Sequence, residues 1–402
     1  MTDVTPSHRV LHLIHSPQRR GAEVFAAQLA ARMEAAGRFQ NGVCSLYPNT
    51  DNEQADNSLP LDGLPVFKLD ARRGLAGRLG VDPRLVSSLT GVLRRFRPHI
   101  VMAHGSDTLK YAALAGMFYG GAATVYRNIG LASSWARTPV KVRVNRLLLG
   151  RVSAVVSVSQ FTKEDFIRLY HLPQERVTFI PNGVDVTPFE VAEPAAVRAT
   201  VRGELGIDPQ ALVLVSVGNL SAEKGHLGLL PLLAQSAPDG QDSQLLLVGD
   251  GPLREELERQ ARALGIAHRV HLVGRRDDVP RLLAAADLFL LPSKTEGMPA
   301  VLMEAGLAGL PAVAFCVGGV GEVVTDQVTG LLAPSGDYPG LWQGVTALAR
   351  DPQRRSAMGQ AARQRCLGLF DIRKVAGEYE ELFVSLLRKG RNSNWAVSQA
   401  GT

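Results

Sequence analysis

Apolar residues along the chain follow two alternating rhythms. Short unbroken runs, such as HRVLHLIH from His8 to His15 and LFLL from Leu288 to Leu291, read as strands buried on both faces. The longer segments after them repeat apolar positions every three or four residues and read as amphipathic helices. In the first half this predicts strands at His8–His15, Phe39–Leu46, Val66–Leu69, His99–Ala103, Ala123–Arg127, Ala154–Val158 and Val177–Ile180. Helices are predicted between them at Ala22–Ala36, Pro83–Arg95, Leu109–Met117, Thr138–Leu149 and Gln160–Tyr170. The pattern restarts at Ala211, with strands Leu212–Gly218, Gln244–Val248, Val270–Val273, Leu288–Leu291 and Pro311–Val317, and helices Gly225–Gln235, Leu253–Leu264, Val279–Ala285 and Pro299 onward. Such alternation implies parallel sheets flanked by helices, an α/β chain of two units in series.

Three stretches break the rhythm. Asn49 to Leu64 carries Asp, Asn and Pro and reads as a surface excursion; Thr187 to Arg202, with two prolines and scattered charge, reads as a linker; Ser393 to Thr402 reads as a disordered tail. A length of 402 residues fits two domains. The expected division is 1–190, then 203–370, a terminal helix at 371–388 and a disordered tail at 389–402.

The segment Asp287 to Leu310, DLFLLPSKTEGMPAVLMEAGLAGL, sets Glu296 and Glu304 on either side of a strand-to-helix turn. In a doubly wound sheet the C-terminal end of a strand is where ligands bind. The N–H groups of Gly297, Met298 and Ala300 near a helix start suit a phosphate, and Pro299 fits the first helical turn. Two glutamates eight apart also occur as solvated helix surface. A second Gly-rich turn at Gly318, Gly319 and Gly321, after the next strand, favours a site.

Composition narrows the classes. No apolar run reaches the roughly 18 residues of a membrane span, and MTDVTPSHRV lacks the pattern of a secretory signal. Cys44, Cys316 and Cys366 are far apart without metal-ligand spacing, as thiols of a reducing compartment are. Residues 1–190 carry 23 Lys and Arg against 15 Asp and Glu, whereas residues 191–402 carry 21 against 23. The excess gathers in Lys68 to Arg97 and in Arg137 to Arg151, where Arg137, Lys141, Arg143, Arg146 and Arg151 interleave with Val140, Val142, Val144, Leu147, Leu148 and Leu149. This reads equally as a helix lying on an anionic membrane surface or as a packed helix with a solvated Arg face. Aromatics are 6% and form no platform among the cations, so nucleic acid is not an expected partner.

Taken in order, VSVGNLSAEKGHLGLL, LLLVGDGPLREELERQARALGI, VHLVGRRDDVPRLLAAADLFLLPS, TEGMPAVLMEAGLAGLPAVA and GGVGEVVTDQVTGLLAP resemble the retaining glycosyltransferases of family 4. RRGAEVFAAQLA, VMAHGSDTLKYAALAG, VVSVSQFTKEDF and FIPNGVD fit the same family more loosely. The resemblance implies a GT-B fold, two facing Rossmann-like domains with a C-terminal helix returning to the first. It implies a cytoplasmic enzyme, peripheral on the inner face of the cytoplasmic membrane, that transfers sugar from a nucleotide-sugar donor to a saccharide or lipid-linked acceptor without a metal. Closure of the cleft would exclude water.

By this resemblance Lys224 binds the donor diphosphate, Glu296 lies near the transferred sugar and Glu304 bonds the ribose hydroxyls. Backbone near Val273, Gly274 and Arg275 holds the base, Gly249 lines the preceding strand end, and Gly21 faces the diphosphate. His104 either reaches sugar or acceptor, or caps a strand end. Three positions depart from the family. Asn219 stands where an arginine precedes the lysine, Arg20-Gly21 replaces a glycine pair, and Asn128 lies where a His-Gly pair is common. Arg20 is expected to supply the charge that Asn219 lacks. No Asp-x-Asp metal site is expected, Asp277-Asp278 reading as a helix-start acidic pair. A nucleotide-sugar 2-epimerase and a noncatalytic sugar-nucleotide-binding relative remain as alternatives.

Overall fold

In the computed structural model the described residues are 8–48, 59–69, 80–190, 193–235 and 243–399, with side chains described to residue 389. The chain divides into two compact units, residues 1–183 with 372–402, and residues 184–371.

The first unit holds a parallel sheet of β1 (His8–Ile14), β2 (Phe39–Ser45), β3 (Val66–Lys68), β4 (Ile100–His104), β5 (Ala123–Asn128), β6 (Ala154–Ser157) and β7 (Val177–Phe179). Their spatial order is β3-β2-β1-β4-β5-β6-β7. Because side chains alternate across a strand, β1, β4 and β5 each feed two cores. Leu11, Leu13, Val101, Ala103 and Tyr126 join one face with the helices Pro83–Phe96 and Ser106–Tyr119. Val10, Ile100, Met102 and Val125 join the other with Phe25, Leu29 and Met33 of the helix Gly21–Ala35, and with Ile372, Val375, Tyr379 and Phe383 of the terminal helix. That terminal helix runs Ile372–Gln399, so its backbone continues through most of the stretch expected to be a disordered tail, of which residues 400–402 lie outside the described residues.

The second unit repeats the plan with β8 (Val213–Val217), β9 (Gln244–Val248), β10 (Val270–Gly274), β11 (Leu288–Leu291), β12 (Ala312–Phe315) and β13 (Gly330–Ala333). All pairs are parallel, in the order β10-β9-β8-β11-β12-β13. In each sheet the order reverses between two central strands, β1 and β4 or β8 and β11. Loops leaving their C-terminal ends therefore part to opposite sides and open a crevice there.

Two expectations are corrected. Most of the helix Pro194–Glu204, which belongs to the second unit, falls within the linker expected at Thr187 to Arg202; residues 191–192 lie outside the described residues. Arg202, 2% exposed, donates to Asp287 Oδ2 at 2.8 Å and to the carbonyls of Ala285, Pro209 and Ala211, while Arg198 meets Asp287 Oδ1 at 2.7 Å. The charges that suggested a linker thus anchor a helix to the start of β11. Of the excursion Asn49 to Leu64, residues 49–58 lie outside the described residues, but Leu59 and Leu64 are buried with Ile14 and Val43.

Candidate active site

The densest array of ligand-ready groups lies on the β8 and β11 loops. Lys224, in the loop after β8, places Nζ 2.6 Å from Glu296 Oε1 in the loop after β11, the two side chains being 26% and 11% exposed. The two loops are tied by the Lys294 N–H, which donates to the Glu223 carbonyl at 2.8 Å, and the loop after β12 joins them through the Gly319 N–H, which donates to the Gly297 carbonyl at 3.0 Å. Glycine is required beside each charge. Gly225 has φ of 71°, and a Cβ there would stand 2.1 Å from the Pro292 carbonyl oxygen. Gly318 has φ of 54°, and its Cβ would stand 1.7 Å from the Glu296 carbonyl oxygen.

The helix after β11 is Ala300–Leu307, with Pro299 as its N-cap rather than inside its first turn, and no side chain caps it. Its first N–H groups carry the partial positive charge of a helix start. Met298 and Pro299 are buried beneath them, while Gly297 and Ala300 are half-buried. Glu304, one turn on, is half-buried and makes no side-chain hydrogen bond or ion pair among the described residues; burial pushes its carboxyl up to about 7. A carboxylate so placed is set to accept hydrogen bonds from a ligand's hydroxyls.

Around this centre, Gly249 N–H donates to the Gly274 carbonyl at 2.8 Å, so one of the backbone acceptors expected to hold a base is already engaged. Val273 is half-buried and Arg275 exposed. Asn219 is exposed, with Leu220 N–H bonded to the Asp250 carbonyl. Asp278 is engaged by Arg276 and Arg281.

Two participants escaped the sequence reading. Tyr338 donates its hydroxyl to the Gly225 carbonyl at 2.8 Å and so braces the Lys224 loop. His226, next but one to Lys224, is buried, bonded to Ser216 Oγ at 3.1 Å and lowered to about 4 by burial and then by the Lys224 charge. Nothing in sequence links Tyr338 to a glycine 113 positions away.

The equivalent place in the first unit differs. Arg20 is exposed as the N-cap of the helix Gly21–Ala35, with no side-chain cap, and Gly21 is exposed at its start. His104, at the end of β4, is 3% exposed and points inward. Asn41 directs Nδ2 at the Phe39 carbonyl and Glu34, so its Oδ1 is the acceptor and His12 carries its proton on Nε2, 3.2 Å away. His12 Nδ1 then accepts from His104 Nε2 at 3.2 Å, which leaves the His104 Nδ1 lone pair facing Arg127 Nη1 at 3.5 Å.

Burial lowers His12 to about 4, and burial with the Arg127 charge holds His104 well below the usual histidine range. Arg127, 1% exposed, lies 3.8 Å over the Phe25 ring and bonds Asn182 Oδ1. Both His104 nitrogens face interior partners, an arrangement that suits the strand-end reading. Asn128 is likewise buried, with Nδ2 3.4 Å from both Ser157 Oγ and the Thr162 carbonyl.

Two α/β units of this topology fit the GT-B class, to which the structural neighbours belong. The glycosyltransferase family 4 model matches residues 19–187 and the glycosyl transferases group 1 model residues 197–365. The alpha-maltose-1-phosphate synthase of Mycolicibacterium smegmatis is 31% identical over 323 residues, 76% of each chain. The chain belongs to the group 1, family 4 glycosyltransferases. It is also 27% identical over 316 residues to the UDP-Gal:alpha-D-GlcNAc-diphosphoundecaprenol alpha-1,3-galactosyltransferase of Escherichia coli, covering 76% of this chain and 80% of that one. HepE of Anabaena, solved with UDP and glucose, superposes with a TM-score of 0.80 at 25% identity, over 94% of this chain and all of that one. For two further curated relatives the chain spans 64% and 50% of their length.

Proposed function

We propose that this chain is a retaining, metal-independent hexosyltransferase. It would move sugar from a nucleotide-diphosphate donor to a hydroxyl of a saccharide or lipid-linked acceptor in bacterial surface polysaccharide or lipopolysaccharide assembly, at the inner face of the cytoplasmic membrane. The observation that carries this reading is the facing pair Lys224 and Glu296 beside the unpartnered Glu304, all at the β8/β11 crevice. HepE, a UDP binder by its solved complexes, makes UDP the first nucleotide to test.

Lys224 and the uncapped start of the helix Ala300–Leu307 would neutralise the donor diphosphate, the phosphate taking over the lysine from Glu296. Glu304 would accept from the ribose hydroxyls, and Glu296 would stand by the sugar. The acceptor oxygen forms its bond to the anomeric carbon as the bond from that carbon to phosphate oxygen breaks. The acceptor proton passes to the departing phosphate, and the nucleoside diphosphate leaves. This needs no histidine base, in keeping with the inward-facing His104 and with Asn128. Arg20 would supply the positive charge that Asn219 lacks, and unchanged donor affinity and turnover in Arg20→Ala would overturn that assignment.

The test is incubation with a panel of labelled nucleotide sugars, with and without lipid-linked acceptors, in EDTA, followed by NMR of the product anomer. Acceptor-dependent product with the donor's anomeric configuration is expected. Epimerised donor would point to a 2-epimerase, binding without turnover to a noncatalytic relative, an inverted anomer would remove retention, and activity restored only by added metal would remove metal independence. Glu304→Gln should mainly weaken nucleotide binding and Glu296→Gln mainly slow transfer; equal effects of both on diphosphate affinity would sink that division.

A further inference from the structure

The helix Ala300–Leu307 is eight residues long, so the groups at its two ends govern how firmly it is held. Glu304, which it carries, makes no side-chain hydrogen bond or ion pair among the described residues. The carboxyl group therefore stands where the helix backbone puts it. An α-helix leaves its last four carbonyls without partners inside the helix. Here the Glu304 carbonyl accepts from Ala308 N–H at 3.0 Å, the Ala305 carbonyl from Leu310 N–H at 2.9 Å and the Gly306 carbonyl from Gly309 N–H at 2.8 Å. The fourth, on Leu307, takes Nη1 of Arg363, which stands 56 positions away on the helix Pro352–Leu369 and is half-buried. Nη1 and Nη2 of Arg363 also lie 3.4 Å from the Phe189 carbonyl, which holds the plane of the guanidinium. A permanent cation thus sits at the negative end of a helix whose positive end no side chain caps.

The two helices also meet closely. A Cβ on Gly306 would stand 2.5 Å from Cys366 Sγ and 3.3 Å from the Ala362 carbonyl oxygen. Two positions beyond Arg363, Arg365 serves the helix Val320–Val323 in the same way. It donates from Nε to the Val323 carbonyl at 3.0 Å and from Nη2 to the Glu322 carbonyl at 2.8 Å, but that helix carries no group assigned to the donor.

We infer that Arg363 is a positioning residue for nucleotide recognition: by holding the Leu307 carbonyl it fixes the helix that presents Glu304 and the N–H groups of its first turn. The inference rests on the reading of that helix as the bed of the donor nucleotide. It concerns binding, not the reacting atoms, since Arg363 touches the far end of the helix from the expected phosphate.

The test is calorimetric titration of UDP, GDP and ADP into wild type, Arg363→Gln, Arg363→Lys and Arg365→Gln, with a thermal melt of each. For the nucleotide that wild type binds best, Arg363→Gln should lower affinity about tenfold as one charge-assisted bond is lost. Arg363→Lys, which keeps a cation able to reach one carbonyl, should return to within about threefold of wild type. Arg365→Gln, which breaks the same kind of bond from the same helix, should melt lower yet bind within about threefold of wild type. Placed on Glu304→Gln, Arg363→Gln should cost about threefold or less, because the carboxylate it positions is already gone. If Arg363→Gln does not fold, Gly306→Ala displaces the same helix from its packed side; it should weaken binding, and Cys366→Ala on that background should restore part of the loss. Unaltered affinity in folded Arg363→Gln, equal weakening in Arg365→Gln, no recovery in Arg363→Lys, an undiminished loss on Glu304→Gln, or normal binding in Gly306→Ala would each overturn the inference. Wild type that binds none of the three nucleotides would remove the donor-site reading and this inference with it, whereas wild type that binds beside an unaffected Arg363→Gln removes the inference alone.

Discussion

The two sheets share one strand order around their reversal points, β3-β2-β1-β4-β5-β6 and β10-β9-β8-β11-β12-β13, yet fill the equivalent places in opposite ways. In the first unit the polar side chains of the central strands turn inward. Asn41, His12, His104 and Arg127 form a line of buried groups that ends on the half-buried Glu34, with donors all pointing one way, from Arg127 toward Glu34. In the second unit β11 is apolar and the charges lie beyond the strand ends, Lys224 and Glu296 paired on loops and partly exposed, and Glu304 on the following helix with no side-chain partner among the described residues. Topology sets where a site can form. Whether side chains at that place face the interior or stand open decides whether one does, and by that measure the first unit's polar line reads as structural and the second unit's loops as the proposed site.

The largest effect expected from breaking this contrast is on stability. Arg127→Ala would remove the bond to Asn182 Oδ1, leave the His104 lone pair unpaired and open a cavity over Phe25, costing on the order of 3 kcal/mol, read as a lower midpoint in urea unfolding. A loss under about 0.5 kcal/mol would show that the line does not hold the unit together. Next comes Lys224→Ala. Turnover should fall about ten- to a hundredfold as one charge-assisted contact is lost in the transition state, while stability stays within about 1 kcal/mol because the pair is partly exposed. The reverse outcome, a stability loss with normal turnover, would make the ion pair structural.

How much of this was legible in the sequence follows from distance along the chain. Strands such as Leu288–Leu291 and the loop glycines beside Lys224 and Glu296 are local signals, and local signals carried the α/β architecture. Helix Pro194–Glu204 was missed because its charges resemble a linker until Asp287, 85 residues from Arg202, explains them. Arg127 sits in an apolar strand with no local sign of burial, since Phe25, His104 and Asn182 reach it from far along the chain. The pairing of Lys224 with Glu296 spans 72 positions and is visible only in three dimensions.

A smaller effect is expected with pH. His12 is neutral in the folded chain, with a pKa lowered from 6.5 to about 4. Between those values the unfolded chain takes up a proton that the folded chain does not, so the stability His12 provides is present above pH 6.5 and is lost as pH falls toward 4. Urea unfolding across this window should show stability falling with pH, and His12→Gln should flatten the slope, as should His226→Gln in the second unit, whose buried histidine is also lowered to about 4. An unchanged slope in His12→Gln would mean that the first unit's buried histidines do not set the acid limit.

The most direct test of the contrast is calorimetric titration of UDP into wild type, Glu304→Gln and His104→Gln at pH 6 and pH 8. Ionisation of Glu304 near pH 7 should strengthen wild-type binding by up to about tenfold across that interval, and Glu304→Gln should bind weakly with no such gain. His104→Gln, if folded, should bind as wild type does. Weakened binding in His104→Gln alongside unaltered binding in Glu304→Gln would contradict the assignment of nucleotide recognition to the second unit.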